Sequence, residues 1–233
     1  MDLIDLASRI DHTLLKPEAT RPQVHRLVAD AIQHRFASVC VNGLFVKDVA
    51  TMLRGEPVKT CAVAGFPLGA SKSVVKSIEA TTVAKDGADE IDFVAHLPYL
   101  LRADLDSARA EFIEVVKAVR SVDPQTIVKV IIESTLLMQD TPALEGEKRI
   151  ETACRAARES GCDFIKTATG FHPAGGATAE AVALMKKHGG GLYVKAAGGI
   201  RTLADARKML DAGADRLGCS ASVQIMEEAK RNF

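Results

Sequence analysis

Hydrophobic and polar positions along the chain follow two periods in turn, one typical of helices and one of strands. Residues 21–34 keep Val24, Leu27, Val28 and Ile32 on one side of a helix, whereas residues 126–133 form a β-branched run. This pattern predicts strands at 10–13, 37–41, 58–64, 89–94, 126–133, 164–166, 192–196 and 214–218. It predicts helices at 2–9, 21–34, 44–53, 71–86, 104–121, 145–160, 177–188 and 202–212, and a final helix after the last strand.

A Gly-x-Asp motif recurs at three of the helix-to-strand junctions, at 87–89, 161–163 and 213–215. Glycine just past a helix is the usual C-cap, so the repeated motif supports alternating helices and strands. Eight such units in one chain predict a (β/α)8 barrel, which we expect to form a single domain over 1–233 with a short extra helix at the N-terminus. A doubly wound open sheet is the alternative, but it ordinarily has a glycine-rich turn after its first strand, and IDHTLLKP is not one.

Composition adds few constraints. The 233 residues are 47% hydrophobic and 26% charged with no formal net charge, which is typical of a folded globular protein and gives no reason to expect a nucleic-acid or membrane partner. Five scattered cysteines favour reduced thiols over a disulfide framework. Because the N-terminus lacks a signal pattern and no apolar run approaches the roughly 20 residues of a membrane span, we expect a cytoplasmic location.

The stretch CDFIKTATG, residues 162–170, holds the main chemical candidate. Alternation along its short strand places Lys166 on the same face as Phe164, and an inward lysine is costly unless it is paired or neutral. Lys195 ends the neighbouring predicted strand, about 4.8 Å away. Like charges at that distance favour the neutral form of one of the two amines, and a neutral amine attacks carbonyls. A structural ion pair is the alternative.

Further polar residues end other predicted strands, where barrel enzymes carry their chemistry. They are Asp11, Thr13, Cys40, Asn42, Asp92 and Glu133. Alternation places Asp92 on the inward face beside Glu90, where an acid could transfer protons and balance the second lysine. The alternative for Asp92 is a buried ion-pair partner with no proton role.

Two glycine-rich segments, 197–202 and 218–222, follow the last two predicted strands. Loops at these positions next to a helix N-terminus form the usual phosphate cradle of such barrels, to which Arg201 could add a charge and Gly170 a backbone contact. Tight turns without a ligand are the alternative. The six histidines show no metal-binding spacing, so we expect no metal.

Seven blocks together resemble class I deoxyribose-phosphate aldolase. They are DHTLLKP (11–17), VCVN (39–42), GFPLG (65–69), EID (90–92), KVIIE (129–133), DFIKTATGF (163–171) and VKAAGGIRT (194–202). The resemblance implies a metal-independent and cofactor-independent enzyme on a (β/α)8 barrel. Its reaction would be the reversible cleavage of 2-deoxyribose 5-phosphate to glyceraldehyde 3-phosphate and acetaldehyde, and its assembly a homodimer.

The resemblance also implies site residues. Lys166 would form the Schiff base, Lys195 would tune it and assist proton transfer, and Asp92 would act as acid and base through a water. The sugar would be lined by Asp11, Thr13, Cys40 and Thr169, and the phosphate held by Gly170, Gly198, Gly199, Arg201, Gly218 and Ser220.

The chain departs from the family pattern at Ala168, His96 and Cys219, none of which removes a catalytic group. Three other functions remain open from sequence alone. One is a related Schiff-base aldolase or transaldolase-like enzyme, and another is a non-catalytic sugar-phosphate-binding barrel. The third is a metal-dependent aldolase, which the scattered histidines disfavour.

Overall fold

The computed structural model describes residues 2–232, and that range contains eight strands and eleven α-helices. The strands are β1 (Ile10–Leu14), β2 (Ser38–Val41), β3 (Lys59–Ala64), β4 (Glu90–Val94), β5 (Ile127–Ile131), β6 (Phe164–Lys166), β7 (Tyr193–Ala197) and β8 (Arg216–Cys219). The helices are α1 (Leu3–Ser8), α2 (Arg21–His34), α3 (Val46–Met52), α4 (Ser73–Lys85), α5 (Leu97–Leu101), α6 (Leu105–Arg120), α7 (Ser134–Met138), α8 (Ala143–Glu159), α9 (Ala179–His188), α10 (Leu203–Asp211) and α11 (Ser222–Asn232).

The eight strands form one closed parallel barrel in chain order, and β8 pairs back onto β1. At least one helix follows every strand, and α1 precedes the first strand as an extra element. The predicted (β/α)8 barrel with a short N-terminal helix is therefore confirmed.

Alternation along the strands separates an apolar layer from a charged barrel interior. On β4, Ile91 and Phe93 point outward into the core between the sheet and the helices, where Phe93 packs edge-to-face on Phe112 of α6 with ring centroids 5.5 Å apart. Glu90 and Asp92 alternate with them and point into the barrel. The outward residues hold the helices on the sheet, which leaves the interior available for chemistry.

The repeated Gly-x-Asp motif has the same structural cause before β4, β6 and β8. The three glycines, Gly87, Gly161 and Gly213, have φ between 78° and 108°, which favours glycine after a helix end. The aspartate that follows each one accepts a backbone N–H at 2.8 Å from the strand before it: Asp89 from Thr60, Asp163 from Val128 and Asp215 from Val194. Each aspartate thus ties the start of one strand to its neighbour.

Two short helices, α5 and α7, were not predicted, because five residues are too few for a helical period to be visible. The predicted strand 126–133 is also longer than β5. Glu133 adopts a left-handed backbone conformation, with φ 50° and ψ 58°, directly before α7. The β-branched run ends in a turn at this residue, which aims its carboxylate at the neighbouring β6 loop.

None of the helices within residues 2–232 is long and apolar enough to cross a membrane.

Candidate active site

Asp92 lies at the centre of the charged barrel interior and contacts three lysines. Its Oδ1 accepts a hydrogen bond from Lys129 at 2.8 Å, and its Oδ2 accepts one from Lys166 and one from Lys195, both at 2.7 Å. The three lysines come from β5, β6 and β7, and each is at most 3% exposed. The structure therefore brings together Lys166, Lys195 and Asp92, which the sequence predicted as catalytic, and adds Lys129.

Two of these lysines have a second carboxylate partner. Lys195 Nζ lies 2.5 Å from Asp11 Oδ2, and Lys129 Nζ lies 2.6 Å from Glu90 Oε2. Lys166, which β6 carries nearest the cavity described below, is paired with Asp92. The amine that the sequence predicted as the nucleophile is thus held by a single carboxylate.

The ionisation of this cluster follows from its pairing. Burial by itself would raise the pKa of Asp92, but the neighbouring charges of Lys129, Lys166 and Lys195 outweigh burial and hold that pKa well below its usual value. Asp92 is therefore a carboxylate at neutral pH.

The sequence predicted that one amine of the pair Lys166 and Lys195 is neutral. Lys195 is not that amine. Burial by itself would lower the pKa of Lys195, but the carboxylates of Asp11 and Asp92 raise it well above its usual value. Lys195 therefore stays protonated and places a fixed positive charge beside Lys166.

A cavity of about 340 Å³ opens above Lys166 at the carboxyl ends of the strands. Nine of the predicted site residues line it, which brings the amine and the proposed cradle into one space: Thr13, Lys166, Thr169, Gly170, Gly198, Gly199, Arg201, Gly218 and Ser220. Leu15, Lys16, Phe171 and Ile200 also contribute to its wall. The cavity can hold a small phosphorylated molecule with one end on the amine.

The other four predicted residues lie outside the cavity wall. Asp11, Asp92 and Lys195 are fully buried beside Lys166. Cys40 is also fully buried, in a small apolar cluster with Leu15, Cys61 and Val63. Cys40 is not part of the cavity wall, and its predicted contact with substrate stays a prediction.

Close packing explains two glycines of the cradle, Gly198 and Gly218. A Cβ on Gly198 would lie 2.8 Å from the Cα of Gly176 and 3.3 Å from that of Gly170, so the loops after β6 and β7 can approach only without side chains. A Cβ on Gly218 would lie 3.1 Å from Lys195 Cε. Gly218 thus gives room to the lysine side chain besides lining the cavity.

The N-terminus of α10 is already capped by carboxylates of the chain. Asp205 Oδ2 accepts the backbone N–H groups of Arg201 at 3.1 Å and Thr202 at 3.0 Å, and Glu228 accepts that of Leu203 at 2.7 Å. These amides are not available to a phosphate. In the other glycine-rich segment, α11 begins at Ser222, two residues after Ser220 in the cavity wall.

Four residues with evident roles in the site were missed from the sequence or given no role. Lys129 and Arg216 precede the strand ends where chemistry was sought, and Glu90 was used only to define the inward face of β4. Glu133 was noted as a strand end, and its carboxylate accepts the backbone N–H of Thr169 at 2.8 Å. The available signal was charge on the inward face of a buried strand, where charged residues rarely lie unpaired.

Among the described residues, two buried groups have the donor atoms for a metal ion. They are Cys40, Cys61 and Asp92, and Asp11, Cys61 and Glu90, with donor atoms within 4.8 Å of one another. Their carboxylates are already paired with Lys129, Lys195 and Arg216. A metal ion would have to displace these cations, so the donor set fits a metal poorly; the expectation of a metal-independent enzyme stays a prediction.

Comparison with known proteins gives the family. The model of the DeoC/LacD family aldolases matches residues 6–225, which is nearly the whole chain. The chain belongs to the DeoC/LacD aldolase family. Its members are carbon–carbon lyases, and this protein is therefore an aldolase, as the sequence blocks predicted.

Curated relatives of this DeoC/LacD aldolase match over almost their full length. A deoxyribose-phosphate aldolase of Caldanaerobacter subterraneus subsp. tengcongensis is 46% identical over 230 residues, covering 98% of this chain and 95% of the relative. One of Mycolicibacterium paratuberculosis is 47% identical over 223 residues, covering 95% and 96%. A solved structure, the tetrameric deoxyribose phosphate aldolase of Aeropyrum pernix, has a TM-score of 0.88 at 34% identity and covers 100% of this chain and 94% of its own.

Proposed function

We propose that this aldolase reversibly cleaves 2-deoxyribose 5-phosphate to glyceraldehyde 3-phosphate and acetaldehyde through an imine on Lys166. The observation that carries the proposal is the position of the Lys166 amine, at the base of the cavity and 2.7 Å from an ionised Asp92. Glycine-rich loops and Arg201 line the same cavity. The names of the relatives support deoxyribose phosphate as the substrate.

The reaction begins when the neutral amine of Lys166 attacks the C1 aldehyde of the sugar and forms a carbinolamine. The carbinolamine hydroxyl takes up a proton and leaves as water, which gives an iminium ion. The C3 hydroxyl then loses its proton, the C2–C3 bond breaks, and the iminium takes up that electron pair as an enamine. Glyceraldehyde 3-phosphate leaves. The enamine carbon C2 gains a proton, and hydrolysis of the imine releases acetaldehyde and restores Lys166.

Two groups divide the electrostatic work in this proposal. Because its pKa is held well below the usual value, Asp92 stores a proton poorly, so we assign it to orienting the amines of Lys166 and Lys195 and passing protons through a water. Lys195, which stays protonated, supplies a fixed positive charge beside the amine that attacks the sugar.

The phosphate would lie at the far end of the cavity from Lys166. Because the first amides of α10 are capped, we assign the anion to the Gly198–Gly199 turn, the Arg201 guanidinium and the N-terminal end of α11 beside Ser220. Thr13 and Thr169 line the space between the two ends and would contact the sugar hydroxyls.

Borohydride trapping tests the proposal. The protein is incubated with 2-deoxyribose 5-phosphate and EDTA, reduced, digested and mapped by mass spectrometry, while glyceraldehyde 3-phosphate is measured in a coupled assay. We expect an adduct on the Lys166 peptide and product release in EDTA. A Lys187→Ala variant, altered at an exposed surface lysine, is the control and should form the same adduct.

Three results would contradict the proposal or part of it. No adduct from a protein that still binds the sugar phosphate would favour a binding protein. An adduct without product would indicate imine chemistry on a different sugar phosphate. Activity that EDTA abolishes would contradict a metal-independent reaction.

The expected homodimer, the cytoplasmic location and the absence of a nucleic-acid partner stay predictions. The Aeropyrum pernix relative is described as tetrameric. Light scattering of the purified protein would measure its mass and decide between a dimer and another assembly.

A further inference from the structure

Six charged side chains in the barrel, five of them buried and Arg216 partly buried, form a closed ring in which positive and negative groups alternate. Three of its ion pairs join Asp11 to Arg216 at 2.6 Å, Arg216 to Glu90 at 3.5 Å, and Glu90 to Lys129 at 2.6 Å. The other three join Lys129 to Asp92 at 2.8 Å, Asp92 to Lys195 at 2.7 Å, and Lys195 to Asp11 at 2.5 Å.

The ring is electrically neutral without Lys166. Three carboxylates and three cations balance one another, and Lys166 attaches to the ring from outside through Asp92. Five of the six ring side chains are at most 1% exposed, and Arg216 is 16% exposed, so water screens these charges little. A proton on Lys166 is therefore an excess positive charge beside a neutral ring.

We propose that Glu90, Lys129 and Arg216 are positioning residues whose charges keep this ring neutral, so that Lys166 is the group that gives up a proton. The proposal rests on the imine function assigned above and extends it to three residues that do not touch the cavity. Asp92 and Lys195 act on Lys166 directly. The three positioning residues act through them by fixing their charges.

The charges of the ring reinforce one another. Burial by itself would lower the pKa of Lys129 and Arg216, but their carboxylate partners raise both pKa values well above the usual range. The pKa of Asp11 is lowered despite burial, by Lys195 and Arg216. A buried ion pair often stabilises a protein no better than apolar residues of similar volume, so a six-membered ring calls for a reason other than stability.

Substitutions of opposite sign test the proposal. Glu90→Gln removes one negative charge and leaves an excess positive charge, so Lys166 should lose its proton at lower pH. Arg216→Gln removes one positive charge, so Lys166 should lose its proton at higher pH. The double variant removes one charge of each sign, restores neutrality and should return Lys166 to the behaviour of the unmodified protein.

The size of the effect follows from Coulomb's law. Two unit charges roughly 10 Å apart in a protein site interact by an amount equal to about one pH unit. We expect a shift of about that size for Glu90→Gln. The shift for Arg216→Gln should be smaller, because this side chain is partly exposed and therefore better screened.

The measurement is competitive labelling of lysines with acetic anhydride as a function of pH, read by mass spectrometry of the Lys166 peptide. Only a neutral amine reacts, and Lys166 is reachable because it lines the cavity. This readout does not depend on turnover. The pH dependence of kcat/KM for 2-deoxyribose 5-phosphate is measured in parallel, and its acidic limb should move with the labelling midpoint.

Lys76 and Glu111 provide a matched control. They form an equally buried ion pair, 2.5 Å apart, that is not part of the ring. Glu111→Gln should lower thermal stability without moving the labelling midpoint of Lys166.

Shifts in the same direction for both single variants, or none, would overturn the proposal, as would a double variant that fails to return to the unmodified midpoint. Each single variant carries a signed expectation, so failure of one to fold leaves the other as a test. If Lys166 shifts as expected but no adduct or product forms with 2-deoxyribose 5-phosphate, the ring assignment stands and the proposed function fails.

Discussion

Replacing Asp92 with asparagine is the substitution that most directly tests the central carboxylate. Asn keeps the shape of the side chain but removes the charge that three lysines share. Lys129 keeps Glu90 and Lys195 keeps Asp11 as counter-ions, whereas Lys166 loses the carboxylate that the structure pairs with it. The perturbation therefore falls mainly on the nucleophile.

The expected magnitude has two parts. Breaking a buried ion pair by removing one partner costs about 3–5 kcal/mol of stability, and the retained partners of Lys129 and Lys195 place Asp92→Asn at the lower end. Losing a positioned acid–base group lowers kcat by roughly 100- to 10,000-fold. The affinity for inorganic phosphate should stay unchanged, because Asp92 is not part of the cavity wall.

The assay compares Asp92→Asn with Glu111→Gln, which also neutralises a buried carboxylate paired with a lysine. Thermal melts confirm that both variants are folded at the assay temperature, a coupled assay gives kcat, and inhibition by inorganic phosphate gives its affinity. We expect both variants to lose stability and only Asp92→Asn to lose kcat. A kcat for Asp92→Asn within about twofold of that of Glu111→Gln would refute the reasoning, since twofold is far below the effect of acid–base catalysis.

Three further predictions concern other parts of the site and the fold. Lys166→Ala should abolish turnover and the borohydride adduct while its melting curve stays cooperative; measurable residual turnover would exclude the imine on this residue. Arg201→Gln should raise KM for 2-deoxyribose 5-phosphate by about 10- to 100-fold, the value of a charge-assisted hydrogen bond, but leave KM for unphosphorylated 2-deoxyribose unchanged; equal effects on both sugars would remove Arg201 from the phosphate site. Burial lowers the pKa of His12 from 6.5 to about 4, although Asp30 lies 3.9 Å away and opposes the shift. Because the unfolded chain then binds the extra proton, stability should be complete above pH 6.5 and fall by about 3 kcal/mol as the pH drops to 4; chemical denaturation at several pH values should reveal this slope, and His12→Gln should lose it.

Much of the barrel could be predicted from the chain because its units are local. Residues 21–34 show a helical period, begin with proline in the first turn and were predicted at their observed limits. The Gly-x-Asp junctions can also be recognised locally, because a glycine directly after a helix is the usual C-cap. The two five-residue helices escaped because they lack a period, and Glu133 ended its strand early through a conformation that β-branched neighbours do not reveal.

The candidate site was predictable only in part. Alternation along short strands places every second side chain on the inward face, and this located Lys166, Lys195 and Asp92. The phosphate cradle was predicted less completely. Its glycines were found, but the sequence did not show that Asp205 caps the backbone N–H of Arg201, which makes this amide unavailable to a phosphate.

By itself, the sequence determined the order and approximate limits of the strands and placed Lys166, Lys195 and Asp92 at strand ends, because these features depend on a few neighbouring residues. Only the tertiary structure decided which charges meet. Asp92 and Lys195 are 103 positions apart, and Asp11 and Arg216 are 205 apart. Their contacts exist because β8 closes on β1 and brings inward side chains from opposite ends of the chain into one small volume, where each buried charge is stable only beside an opposite one.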